Sequence, residues 1–271
     1  MKSLIAFISL LLAALTALGQ TTIMPNTTAL PKATVLPGSF GSGHGTLALV
    51  TTCGGSSGTG VTSQTCITPT TTIYNGDIIY CTWMVLTASK TITSLSDSPA
   101  ASSWYVPSSG NLGPYDNGSL STQMAWGVVN TSVLNAKDTI TFGFASSSYA
   151  RVACMVVSGY YGYNSGNISA LLDNSSQNQL TSTGGSVIVP ATGGTTPTGT
   201  NDLLLCGVST SANSTQTPAG TDGQGHTLLT ISADSTENSL WYYFESSSAA
   251  YSCSATLGTN ADWNAQLGLF H

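Results

Sequence analysis

From Thr46 to the C-terminus the chain shows no apolar spacing of 3.6 residues. Short runs rich in Val, Ile, Thr, Tyr and Phe are separated instead by Gly, Pro, Asn and Ser, the pattern of successive β-strands. Candidate strands are 46–52, 67–74, 77–87, 90–96, 121–129, 138–145, 150–159, 185–189, 202–209, 226–232, 239–245, 249–256 and 262–270. The run "DTITFGF" puts Ile140, Phe142 and Phe144 on one face and Thr139, Thr141 and Gly143 on the other, so one side is buried and one is wet. Runs such as "IIYCTWMVL" and "VACMVVSG" are apolar on both faces, which implies strands covered on both sides. Many short antiparallel strands over this length point to an all-β, antiparallel β-sandwich, with a jelly roll as the expected topology.

The chain also repeats itself. "NGDIIYC" is followed by a polar loop, "QMAWGVV", "DTITFGF" and "SYARVACMVVSGY". "TNDLLLC" is followed by a polar loop, "SLWYYFE", "AAYSCSATL" and "ADWNAQLGLF". Asp202 stands 125 positions after Asp77, and the four phrases keep their order. Two pseudo-repeated halves, about 46–163 and 185–271, are therefore expected to interleave into two sheets of a single domain, 46–271.

Six cysteines permit fifteen pairings. The Gly/Ser loop of "CGGSSGTGVTSQTC" lets Cys53 meet Cys66, and its spacing is too long for a metal knuckle or a CxxC redox pair. If Cys81 and Cys206 are equivalent and each bonds within its own half, the other pairs are Cys81–Cys154 and Cys206–Cys253. Cys253 aligns better with Phe142 than with Cys154, and reduced buried thiols are an alternative. A Cys81–Cys206 bond would instead make the repeated phrases neighbours.

Residues 1–19 read as a secretory signal peptide: a Lys2 start, an apolar stretch from Leu4 to Leu18 and small residues before Gln20. That stretch is short of the roughly 20 residues a membrane span needs, so none is expected. Residues 20–45, rich in Pro, Thr and Gly, read as an irregular lead-in. A secreted, extracellular or cell-surface location follows, and an oxidising compartment suits the cysteines.

Charged residues make up 6% of the chain, against about 25% in an ordinary soluble domain. Without Lys2, four basic side chains face eleven acidic ones. With no basic cluster to neutralise phosphates, nucleic acid is excluded as a partner.

These phrases together resemble a family of exported bacterial β-sandwich domains. Its members share a G-D/N-L-L-I-V strand, then T-V-T-S-V-x-D-x-x-G-N, an alternating G-x-D-T-V-T-V-T strand, a second N-D-L-L strand and a closing W-x-x-Q-L-A-x-F. The matching text here is "NGDIIYC", "KTITSLSDSPAAS", "AKDTITFGF", "TNDLLLC" and "ADWNAQLGLF", across Thr46 to His271. The family carries no established activity, and the resemblance implies adhesion or ligand binding at a cell surface. The chain departs from the pattern at Asp97, where "DSPA" stands in place of D-x-x-G-N.

Chemistry is sparse. Of the imidazoles, His44 lies in the lead-in and His271 is the last residue, leaving His226 in "TDGQGHTLL" as the one suited to a site. No G-x-S-x-G elbow accompanies it, and no histidine pair has zinc spacing. Glu237 and Glu245 sit at the ends of one strand, about 26 Å apart, so they cannot pair as glycosidase carboxylates. A Glu–Asp pairing across strands is left open without a named pair. Asp77 and Asp202 are expected to accept backbone N–H groups, and turn chemistry outweighs calcium binding at Asp116–Asn117 and Asp222–Gln224.

The candidate ligand contacts are aromatic: Trp104, Tyr105, Tyr115, Tyr160, Tyr161 and Tyr163, in or beside loops where rings can stack on sugars. Trp83, Trp126, Trp241 and Trp263 are assigned to the core. The expectation is a non-catalytic secreted module without cofactor that binds glycan or another surface ligand. A self-associating structural component of an extracellular layer is the alternative, and a carboxylate-dependent hydrolase a weaker one.

Overall fold

The computed structural model describes residues 47–271 apart from 58–59, 69–70, 88–89, 131–133, 159–166, 191, 200–201, 212–219 and 235–236. The signal segment 1–19, the lead-in 20–45 and Tyr160, Tyr161 and Tyr163 lie outside the described residues. Within them the chain is all-β and antiparallel, with one 3-10 turn at Ile168–Leu171.

The first half builds one sheet from β1 (Ala48–Ser56), β3 (Ile78–Val85), β5 (Ser102–Tyr105), β6 (Tyr115–Asp116), β7 (Ser121–Val129) and β9 (Ala150–Ser158), in the order β1-β9-β3-β7-β5, with β6 also on β7. The second half builds another from β10 (Leu172–Val189), β11 (Leu203–Thr210), β12 (Leu229–Asp234), β13 (Asn238–Phe244) and β14 (Cys253–Phe270), in the order β10-β14-β11-β13-β12. A third, three-stranded sheet orders β2 (Val61–Ile67), β8 (Thr139–Ser148) and β4 (Ile92–Ser98) as β2-β8-β4.

The two large sheets pack face to face. Ile78, Tyr80, Met124, Trp126, Met155 and Val157 of one meet Leu203, Leu205, Leu240, Tyr242 and Phe270 of the other. Because side chains alternate along a strand, the neighbouring residues point outward and need a second cover. Ile79, Cys81, Trp83, Val152 and Cys154 are covered by Phe142 and Phe144 of the third sheet. Leu204, Cys206, Val208 and Trp241 are covered by Val187, Val189, Leu228, Tyr251 and Cys253. This second cover is made by the far ends of β10 and β14, whose pairing shifts register between Leu180 and Ser186. The strands apolar on both faces, β3, β7 and β11, are buried along their whole length.

The internal repeat is a repeat of sheets. β3 lies between β7 and β9, as β11 lies between β13 and β14. Ile78 faces Val128 and Val157, while Leu203, 125 positions on, faces Phe244 and Phe270. Thr82 and Gly207, related by the same offset, touch across the interface, where a Cβ on Gly207 would stand 2.7 Å from the Thr82 Oγ1. The two halves are thus separate sheets facing each other, in place of the interleaved sheets the jelly-roll expectation called for.

Three disulfides join Cys53 to Cys66, Cys81 to Cys154 and Cys206 to Cys253, the pairs named from the sequence. The first ties β1 to the third sheet, and the second links adjacent strands within the first-half sheet. The third ties β11 to the folded-over end of β14. Cys253 aligns with Phe142 because both stand in the cover layer of their own half.

Five elements differ from the sequence expectation. Strand 67–74 is replaced by β2 at Val61–Ile67, in which only Cys66 is fully buried, so no apolar run marks it. β10 starts at Leu172 because an edge strand tolerates the polar text "DNSSQNQ". β5 and β6 are too short to show periodicity. The separate strands 249–256 and 262–270 are one β14, which passes through exposed Gly258, Thr259 and Asn260 without leaving the sheet.

Two stability outcomes follow. Gly207→Val, which drives a side chain into Thr82 and the Met124 Cε 2.9 Å away, is expected to cost about 1–3 kcal/mol in denaturant unfolding. An unchanged midpoint would contradict the face-to-face packing. Replacing Cys206 and Cys253 together by Ala opens a bridge of sequence separation 47 and is expected to cost about 4 kcal/mol, read the same way.

Candidate functional site

The turn "GTDGQGHT" crosses the end of the second cover layer. Thr221 bridges both Thr227 and Ser254, which fixes the turn against β14. Gly223 and Gly225 adopt φ of +80° and +103°, a backbone region that favours glycine, and so curl the chain around Asp222. The fully buried Asp222 carboxylate takes the N–H groups of Gln224 at 2.8 Å and His226 at 2.9 Å on Oδ1. Its Oδ2 meets His226 Nδ1 at 2.6 Å.

The imidazole stacks on Tyr243 with centroids 4.5 Å apart and planes 7° from parallel. Trp241 and Tyr243 alternate along β13, and Glu245 continues their face one step beyond the strand. The Glu245 carboxylate is 2% exposed and ends 3.7 Å from His226 Nδ1. Neither of its oxygens makes a well-formed hydrogen bond, and Tyr251 and Asp222 are its neighbours. The Tyr251 hydroxyl beside it donates to the Ser247 carbonyl at 2.9 Å.

These surroundings separate the two acids. For Asp222, burial opposes ionisation, but the Gln224 and His226 N–H groups and the imidazole outweigh it and hold the carboxyl below its ordinary value. For Glu245, burial and then the Asp222 charge push the carboxyl up to about 7, against the weaker opposing influence of Tyr251 and His226.

The first half places an aspartate at the equivalent position in a turn of different sequence, "DSPAA" for "DGQGH", without this chemistry. Asp97, 125 positions before Asp222, accepts the Ala101 N–H at 2.6 Å and the Trp104 indole N–H at 2.8 Å. Ala100, at the position of Gly225, keeps a positive φ of 62°. The Val129 N–H bonds the Asp77 carbonyl as the Glu245 N–H bonds that of Asp202, so Val129 is the counterpart of Glu245. By the same register Gly127 is the counterpart of Tyr243. The Trp104 ring lies on Gly127, where a Cβ would be 2.6 Å away. One slot is thus filled by Trp104, Gly127 and Val129, and its twin by His226, Tyr243 and Glu245.

This accounts for Trp104, a candidate sugar platform in the sequence: its ring is half-buried and its N–H is committed to Asp97. Tyr105 packs against Trp126 with centroids 4.8 Å apart, and Tyr115 is half-buried in β6, where burial raises its hydroxyl pKa. The structure does not gather these three into one surface. His226 was recognisable as the one suitable imidazole and Asp222 as a turn acid. Their partner Glu245 was missed, although its place after an alternating aromatic strand and the second D-x-x-G copy, "DGQG", were signals for it.

Three other acids make structural contacts. Glu237 forms an ion pair with Arg151 at 2.8 Å, joining β9 to the start of β13. Asp116 and Asn117 bond the N–H groups of Gly118, Ser119 and Leu120, which is turn chemistry. Asp77 accepts the Tyr74 N–H at 2.9 Å. The sulfurs of Cys53, Cys66 and Cys154 also lie close together, but all are in disulfides. No helix among the described residues is long and apolar enough to cross a membrane.

No family model matches the chain, and no curated protein or solved structure matches it.

The Glu245 environment sets a pH dependence. A carboxyl raised from 4.5 to about 7 holds its proton in the folded state after the unfolded chain has released it. Its contribution is therefore present at acid pH and lost as pH rises from about 4.5 to 7, by up to about 3 kcal/mol. Denaturant unfolding across this window should show wild type losing stability relative to Glu245→Gln, which becomes the more stable protein at pH 8. A pH-independent difference between the two would refute the assignment.

Proposed function

We propose that this chain is an exported, non-catalytic binding module that presents the His226 turn to a carbohydrate or similar polyhydroxylated ligand at a cell surface or in the extracellular space. The observation that carries the reading is the contrast between the twin slots. The first is closed by an indole and a valine, whereas the second carries a half-exposed imidazole stacked on a tyrosine, with polar groups beneath. Flat rings beside hydrogen-bonding groups suit sugar faces. Three disulfides fit an oxidising compartment.

The geometry weighs against a carboxylate hydrolase. Such an enzyme needs its acids to touch the glycosidic oxygen and the attacked carbon or water. Here Asp222 and Glu245 are 0% and 2% exposed, beneath the imidazole.

Self-association is the second reading. Ile67, Ile188 and Leu229, each on an edge strand, are 56%, 43% and 52% exposed. Light scattering over a concentration series tests it, with growth into polymers in the absence of ligand as the supporting result.

For the binding reading, a glycan array with the mature chain should give hits that Tyr243→Ala and His226→Ala abolish. Binding lost only on changing Tyr161 would assign the contact to the Tyr160–Tyr163 stretch instead. An array without hits would overturn the carbohydrate reading.

A further inference from the structure

We infer that Asp222, His226 and Glu245 form a binding site for one divalent transition-metal ion of the zinc class. The inference stands on donor geometry and is independent of the carbohydrate reading. One oxygen from each acid and one imidazole nitrogen all lie within 4.8 Å of one another, which leaves an ion little rearrangement to make.

Glu245 supplies the second, separate observation. A carboxylate 2% exposed, with no well-formed hydrogen bond to either oxygen and only Tyr251, Asp222 and His226 beside it, is poorly satisfied for a buried polar group. It lies beside a second buried carboxylate, so without an ion the pair either keeps a proton on Glu245 or sets two like charges against a single imidazole. A dication between the oxygens supplies the missing partner and neutralises both acids.

Asp97 stands at the equivalent place in a turn of different sequence, with Ala101 at the position of His226, Val129 at that of Glu245, and the Trp104 ring beside the acid. An Asp turn at this place in the first half thus forms with neither a buried glutamate nor an imidazole. Their presence together, on one side of the duplication only, matches a ligand set and serves no scaffold need the first half reveals.

The donor set selects the ion. Calcium takes six to eight oxygens, whereas two carboxylates with one imidazole suit zinc, leaving a fourth position open on the His226 side. Asp222 is already oriented for this role, since the Gln224 and His226 N–H groups hold Oδ1 and leave Oδ2 toward the imidazole. Coordination through Nδ1 displaces the proton between Nδ1 and Oδ2 to solvent as the metal bonds form.

The test uses the mature chain without an affinity tag, stripped with chelator and titrated with zinc chloride by calorimetry and by metal analysis after dialysis. One zinc per chain is expected, with thermal midpoints that rise with zinc concentration. Cobalt in place of zinc should give visible absorption bands from imidazole and carboxylate coordination. His226→Ala, a change at a half-exposed side chain, and Glu245→Val, which copies Val129, should both fold and lose the saturable uptake. Absence of stoichiometric zinc in the wild-type chain would overturn the inference, as would equal uptake by Glu245→Val or binding of calcium alone. Zinc uptake by a chain that captures no glycan would sink the carbohydrate reading and leave the metal site standing.

Discussion

Strands buried on both faces govern this architecture. β3 and β11 carry apolar side chains toward each other and also away from each other, so a two-layer sandwich would leave half of them in water. Each half must therefore provide a sheet and a cover. The first half uses an independent sheet, β2-β8-β4, and the second folds the long β10–β14 pair over its own outer face. At roughly 25 cal/mol per Å² of apolar area, these buried faces dominate the stability of a chain with so few charges.

The disulfides reinforce the same requirement. Cys53–Cys66 and Cys206–Cys253 each fasten a cover layer to its sheet, and Cys81–Cys154 sits beneath the first of them. A cover attached mainly through one apolar face gains most from a bond that limits its separation from the sheet in the unfolded chain. The Arg151–Glu237 ion pair does related work between the large sheets, where each side chain is about an eighth exposed.

Central strands were legible in the sequence because burial on both faces leaves an unmistakable apolar run, as in "IIYCTWMV" and "LLLCGV". Edge strands were not. β10 is written mostly in Ser, Asn and Gln, and β2 buries only Cys66 fully. The pairing of halves was visible in Asp77 and Asp202, but repetition of order does not say whether repeats interleave or face each other. That depends on which strand edges pair, which alternation does not encode. At the site, His226 and Asp222 could be singled out from one turn. Glu245 could not be joined to them, because the contact spans β13 and a turn whose relative placement is set only by the cover layer.

The duplication turns the site into an internal control. Two Asp turns at equivalent places on two copies of one sheet share the bond from the backbone N–H four residues on to the Asp carboxylate, while the residues between, and the groups packed beside them, differ. In the first copy those side chains are the ones a stable interior favours: an indole on a glycine, with a valine beneath. In the second, a carboxyl pushed up to about 7 lies against an ionised aspartate, an arrangement that weakens the fold at neutral pH. In the proposed metal site that buried acid is a ligand where the first half has a valine, and the imidazole above it is the one member of the cluster that reaches solvent.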